Sequence, residues 1–160
     1  MKKLKLYLVL GFIFTSVSGS LAHFFYQWSN QNIIVGLFTP INESTWEHMK
    51  LLFFPGLLWS CFMHRKFKSE FPGILCDMFT GVLIGTWAIP IIFYLYTGLL
   101  GFHILALDIG TFIVSAAIAF YTAYRQAVSL HKHRYYCQAA YICTTIMALS
   151  FWIYTIIQLG

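Results

Sequence analysis

The placement of the cations constrains this chain more than any other feature. Of its ten Lys and Arg residues, nine fall in three short clusters. These are Lys2, Lys3 and Lys5, then Arg65, Lys66 and Lys68, then Arg125, Lys132 and Arg134, each at the margin of a long apolar run. A hydrocarbon core needs roughly 20 apolar residues per helical span, and lipid offers no partner for a free backbone N–H or C=O. Such runs can therefore cross it only as helices. Clusters on alternate connections follow the positive-inside rule, which puts all three in the cytoplasm. A charged fraction of 9% against a hydrophobic one of 59% excludes a soluble domain, where about a quarter of residues are charged. The net charge of +5 does not read as a nucleic-acid surface, because apolar spans separate the clusters. Taken singly, the clusters are also sparser than the polybasic runs that mark anionic-lipid recognition.

The pattern predicts an all-α, polytopic single domain over residues 1–160, with about five transmembrane helices near 4–28, 44–63, 74–96, 102–124 and 135–159. The N-terminus is then cytoplasmic and the C-terminus external. The first run also has the build of a signal peptide, ending in Ser20-Leu21-Ala22. Gly11, Thr15, Gly19 and His23 fall at i, i+4 spacing, however, and such a stripe favours a retained helix that packs closely and turns His23 inward. Residues 29–42 are too broken by Asn30, Gln31, Asn32, Gly36 and Pro40 to span, so they read as a re-entrant or interfacial segment. Ser44 with Glu47 has capping-box spacing, and Asn42 competes as N-cap. Pro55 and Pro90 read as kinks. Gly81 and Gly85 form a Gly-x-x-x-Gly pair for close helix approach. Cys61, Cys76, Cys137 and Cys143 lie toward the cytoplasmic half without Cys-x-x-Cys spacing, which predicts reduced, structural thiols. Asp77, near the inner end of its helix, fits either a proton path or a first-turn dipole residue.

The chemistry concentrates at the other end. His64, His131 and His133 sit among cytoplasmic cations and read as solvated. His23, Glu43, Glu47, His48, His103 and Asp108 come from three helices and map to one depth near the outer leaflet, where ionisable groups are costly and usually functional. His23, His48 and His103 can ligate a divalent metal, zinc by donor type, with Glu47 or Asp108 as general base or orienting group. His103 and Asp108 are five residues apart, so they meet only if their helix begins late or bulges. Two other readings stay open. In one, the groups satisfy each other: Glu47 caps its helix, Glu43 or Asp108 pairs with Lys50 or a histidine, and the histidines bond broken backbone. In the other, the cluster passes a cation, proton or amine. Trp46, like the other tryptophans, reads as packing.

The segment Asn42-Glu43-Ser44-Thr45-Trp46-Glu47-His48-Met49-Lys50, led in by Phe38-Thr39-Pro40, resembles the signature of a family of small, uncharacterised bacterial integral membrane proteins. That resemblance implies a bacterial inner-membrane protein and brings no activity with it. A looser similarity is to the alkaline ceramidase and adiponectin-receptor-like membrane hydrolases, which hold zinc with three histidines beside an Asp and a Ser in a seven-helix bundle. It implies analogous parts for His23, His48 and His103 with Asp108 and Ser44. The expected function is metal-dependent hydrolysis of a lipid or lipid-linked amide or ester at the outer leaflet. The alternatives are a small transporter or binding protein, or an accessory membrane subunit.

Overall fold

The computed structural model describes residues 1–129 and 134–160. The elements in chain order are α1 (Lys2–Trp28), α2 (Ile33–Gly36), α3 (Thr45–His48), α4 (Lys50–Phe67), α5 (Ile74–Leu100), α6 (Leu105–Ala127) and α7 (Arg134–Leu159). No strand occurs among the described residues. Four helices, α1, α5, α6 and most of α7, are long and apolar enough to cross a membrane. The outward face of α1 is as apolar as its core face: Leu6, Leu10, Ile13, Val17, Leu21 and Phe24 are all at least 40% exposed. A soluble amphipathic helix would be polar there, so the chain reads as an integral membrane bundle.

The second expected span is built differently from the rest. α3 and α4 run almost head to tail through Met49, and together they exceed 20 residues, enough to span at 1.5 Å per residue. Their ends carry Lys50 and the His64–Lys66 run, so the stretch is less apolar than its neighbours. It is also central. α4 packs on both α1 and α5, and buries Leu51, Leu52, Phe53, Gly56, Ser60, Met63 and Phe67.

Small residues set how closely the helices approach. A methyl group on Gly85 would meet the Ser115 carbonyl at 2.7 Å and also the Ala119 side chain, and one on Gly81 would strike the Ala119 carbonyl oxygen. The Gly-x-x-x-Gly pair thus faces α6, and α5 and α6 make the tightest pairing in the bundle. Gly11 faces Trp59 and Phe120, and Gly19 faces the Leu51 carbonyl and Phe112, so the α1 stripe packs inward against α4 and α6. The Leu51 carbonyl is the one Pro55 leaves without its helical donor, and glycine at position 19 leaves it room.

The boundaries moved where turn chemistry outweighed periodicity. α5 continues four residues past the expected end at 96, stopping where Gly101 takes a left-handed conformation at φ 79°. α6 consequently begins at Leu105, not near 102. Between α1 and α4, Asn30 and Gln31 also take positive φ, and Asn32 caps the short α2 by accepting from the Ile34 N–H at 2.9 Å. Ile33 and Ile34 on α2 are exposed, as an interfacial segment requires. Pro55 and Pro90 are both carried within continuous helices.

The thiol expectation is corrected. Cys76 of α5 and Cys137 of α7 are joined as a disulfide, with Cα atoms 5.2 Å apart, while Cys61 and Cys143 are free and exposed. Sequence spacing could not reveal this pair, because its members are 61 residues apart on different helices. Asp77, beside Cys76, is buried in the first turn of α5. His131, Lys132 and His133 lie outside the described residues.

Candidate metal centre

At the end of the bundle opposite the Lys/Arg clusters, the segment from Ile41 to Lys50 folds around its own polar groups. Asn42 Oδ1 accepts from the Ser44 N–H at 3.0 Å, forming a local turn. Ser44 is the N-cap of α3, and its hydroxyl accepts from the Glu47 N–H at 3.3 Å. Only half of the capping box forms. Because Asn42 already serves the Ser44 N–H, the Glu47 carboxylate reaches past it to the Ile41 N–H at 3.0 Å.

This separates the two glutamates. Glu43 and Glu47 are four apart, a spacing that one continuous helix would place on a single face, but helical geometry starts only at Thr45. Glu47 therefore points inward, fully buried, and Glu43 points outward with its side chain 79% exposed.

The inward group is a closed ion pair. Lys50 Nζ donates to Glu47 Oε2 at 2.7 Å, to the Gly36 carbonyl at 3.0 Å and to the Thr155 hydroxyl. An ammonium has three N–H donors, and all three are used. Thr155 passes its own proton to the Phe151 carbonyl at 2.9 Å. Both charged side chains are 0% exposed, so α4, α7 and the 36–41 segment are tied together by one network. Trp46 packs on it, with ring centroids 5.0 Å from Phe151 and 6.3 Å from Tyr154.

The outward group is different in kind. His48 Nδ1 lies 2.9 Å from the Ser44 carbonyl oxygen. A carbonyl can only accept, so this nitrogen carries a proton, and in a neutral imidazole Nε2 is then a bare lone pair. That Nε2 faces Glu43 Oε2 at 3.4 Å, while His23 Nε2, from α1, faces Glu43 Oε1 at 3.7 Å. The two imidazole centroids are 5.2 Å apart. Acceptor facing acceptor is repulsive unless a cation or an extra proton sits between them. His23, Glu43 and His48 each bring one ligand atom within 4.8 Å of the others, a cluster no other His, Cys, Asp or Glu joins among the described residues. Two imidazoles and a carboxylate are a catalytic-type zinc set, leaving a position for water. The His48–Ser44 contact is the outer hydrogen bond that typically orients a ligating histidine.

His103 does not enter this cluster. The late start of α6 leaves it just ahead of the helix, where Nδ1 comes 3.4 Å from Asp108 Oδ2, and Tyr96 of α5 donates to Asp108 Oδ1. His103 is 74% exposed there. The six outer groups read from the sequence thus divide into three sets: His23, Glu43 and His48; Glu47, paired with Lys50; His103 and Asp108. Glu47 is 0% exposed, its Oε2 held by Lys50 and the Ile41 N–H, so it is sealed in the ion-pair network. Ser44 is spent on capping, and Glu43, not His103, stands beside the two histidines. Nothing local in the sequence distinguishes Thr155 in an apolar helix or Tyr96 in an aromatic-rich one.

A family of unknown function, DUF6512, matches residues 1–159. The chain belongs to this family. No curated protein and no solved structure matches it. The match spans every helix of this DUF6512 chain and agrees with the resemblance to an uncharacterised family. The likeness to ceramidases and adiponectin receptors finds no counterpart in it. The reading of the site therefore rests on its own chemistry.

Proposed function

We propose that this DUF6512 protein binds a divalent transition metal, zinc by donor type, through His23, Glu43 and His48, and uses the ion to hydrolyse a lipid or lipid-linked amide or ester at the membrane surface. The observation that carries the metal assignment is His48 itself. Its Nδ1 proton is committed to Ser44, so its Nε2 lone pair is aimed at a carboxylate with a second imidazole alongside. A cation relieves that arrangement.

Bound zinc would supply an electrophile and acidify water. The residues do the rest. Ser44 holds the His48 ring by its backbone, and α1 presents His23 at the rim. The two Glu43 oxygens face different imidazoles, which leaves one able to take a proton while the other ligates. The positive-inside rule supports an external position for this end, with the N-terminus cytoplasmic and the C-terminus external, and the resemblance to bacterial membrane proteins supports an inner membrane.

Transport of a cation is the weaker alternative, because a fixed, fully buried ammonium, Lys50, lies two residues beyond His48 on the inward-packed side. That ammonium is bonded to Glu47, Gly36 and Thr155, so the inward side of the triad is packed shut at this point.

The test is metal content of the full-length protein in detergent, by mass spectrometry. About one zinc per chain is expected in wild type, lost in His23→Ala, Glu43→Gln and His48→Ala and kept in His103→Ala. Wild type that stays metal-free after zinc reconstitution would sink the proposal, and so would zinc that survives His48→Ala. A loaded protein with no turnover on lipid amides or esters would remove hydrolysis alone.

A further inference from the structure

A second site lies at the opposite end, between α1 and α6. There a groove of about 360 Å³ is lined by Leu8, Val9 and Phe12 of α1 and by Ala117, Phe120 and Tyr121 of α6, with Lys5 and Tyr124 at its cationic end. It exists because α6 has only a methyl group at Ala117, flanked by bulky Phe120 and Tyr121. Its walls are hydrocarbon and aromatic along their length, and charge appears only at its mouth.

Two cations are held there by the groove's own tyrosines. Lys5 Nζ stands 5.3 Å from the Tyr124 ring centroid. Arg125 donates to the Tyr121 hydroxyl at 3.1 Å and lies 6.0 Å from that ring. Tyr121 and Tyr124 are three apart, so they occupy one face of α6 on successive turns. No acidic residue lines the groove. The only acid on α1 or α6 is Asp108, at the other end.

We infer that this groove is a specific site for an anionic phospholipid, with its phosphate between Lys5 and Arg125 and one acyl chain along Leu8, Val9, Phe12 and Ala117. An apolar slot ending in two positioned cations matches the two halves of such a lipid. An ammonium and a guanidinium suit a phosphate, and each is held against a tyrosine that lines the groove, Lys5 over Tyr124 and Arg125 at Tyr121. The clusters that looked too sparse for lipid recognition along the chain become a site because tertiary packing sets Lys5 of α1 against Tyr124 of α6, whose next residue, Arg125, is held at Tyr121.

The test is native mass spectrometry of the full chain in detergent, titrated with phosphatidylglycerol and with phosphatidylcholine of the same acyl chains. Wild type should hold one phosphatidylglycerol with a preference on the order of tenfold. Lys5→Gln combined with Arg125→Gln should abolish the preference while leaving weak binding of both lipids. Ala117→Trp, an exposed position that tolerates bulk, should fill the slot and remove both lipids. Equal binding of the two lipids by wild type would overturn the site. So would a preference that persists in Ala117→Trp, which would mean surface charge alone. A dimer that Ala117→Trp dissolves without changing lipid binding would show that a second copy of the chain occupies the groove. None of these readouts depends on the metal centre.

Discussion

Replacing Lys50 by methionine removes a cation of similar reach from a site with no solvent. The variant loses the bonds to Glu47, Gly36 and Thr155 and leaves the Glu47 carboxylate buried at 0% exposure. Breaking one partner of a buried pair costs about 3–5 kcal/mol, because the remaining charge is uncompensated. Glu47 keeps the Ile41 N–H at 3.0 Å and gains the Thr155 hydroxyl, now 3.4 Å away. Those two contacts place the expected loss near the lower bound, about 3 kcal/mol. The double variant Glu47→Gln with Lys50→Met has no buried charge, and should recover about 2 kcal/mol of that loss as coupling energy. Equilibrium unfolding in mixed micelles, followed by tryptophan fluorescence, measures all the terms of the cycle, and Trp46 beside the network is a local reporter. If Lys50→Met costs under about 1 kcal/mol, or if the double variant is no more stable than the single, the pair is not a buried charge network and the argument fails.

Other expectations follow from the same contacts. Zinc binding at the triad should protect His23 and His48 from diethylpyrocarbonate, since a metal-bound imidazole nitrogen is not free to react; mass spectrometry of peptides reads this, and equal modification with and without zinc excludes histidine ligation. Gly85→Ala should cost about 1–3 kcal/mol by pushing α5 off the Ser115 carbonyl, whereas Gly98→Ala, with open space around it, should be neutral or gain up to about 1 kcal/mol; thermal unfolding in detergent compares them. Maleimide under denaturing conditions should label two thiols, Cys61 and Cys143, before reduction and four after. Closing a loop of 61 residues, the disulfide is worth about 4 kcal/mol by chain entropy, so Cys76→Ser should unfold earlier than Cys61→Ser.

Local physics carried much of the fold. Lipid forces apolar runs of this length into helices, so existence, order and approximate limits of the long helices could be read directly. So could the packing faces of Gly11, Gly19, Gly81 and Gly85, because i, i+4 spacing places small residues on one side whatever lies opposite. Ser44 as N-cap was legible for the same reason: a hydroxyl reaching an N–H three residues on needs no distant partner.

Which polar group meets which was decided only in three dimensions. Spacing set Glu43 and Glu47 on a shared face, but the true helix start turned one outward to His23 and His48 and the other inward to Lys50 and Thr155. His103 was assigned to the histidine cluster by depth alone, and a four-residue extension of α5 delayed α6 enough to leave it with Asp108. Cys76 finds Cys137, and Lys5 of α1 finds the Tyr124 ring of α6, through the rotation and register of whole helices. Those two variables are the sum of many small van der Waals contacts spread over each interface. No short segment encodes them. The sequence by itself determined that this is a membrane helix bundle with its polar chemistry gathered at one end; only packing divided that chemistry into a closed ion pair and an open ligand set.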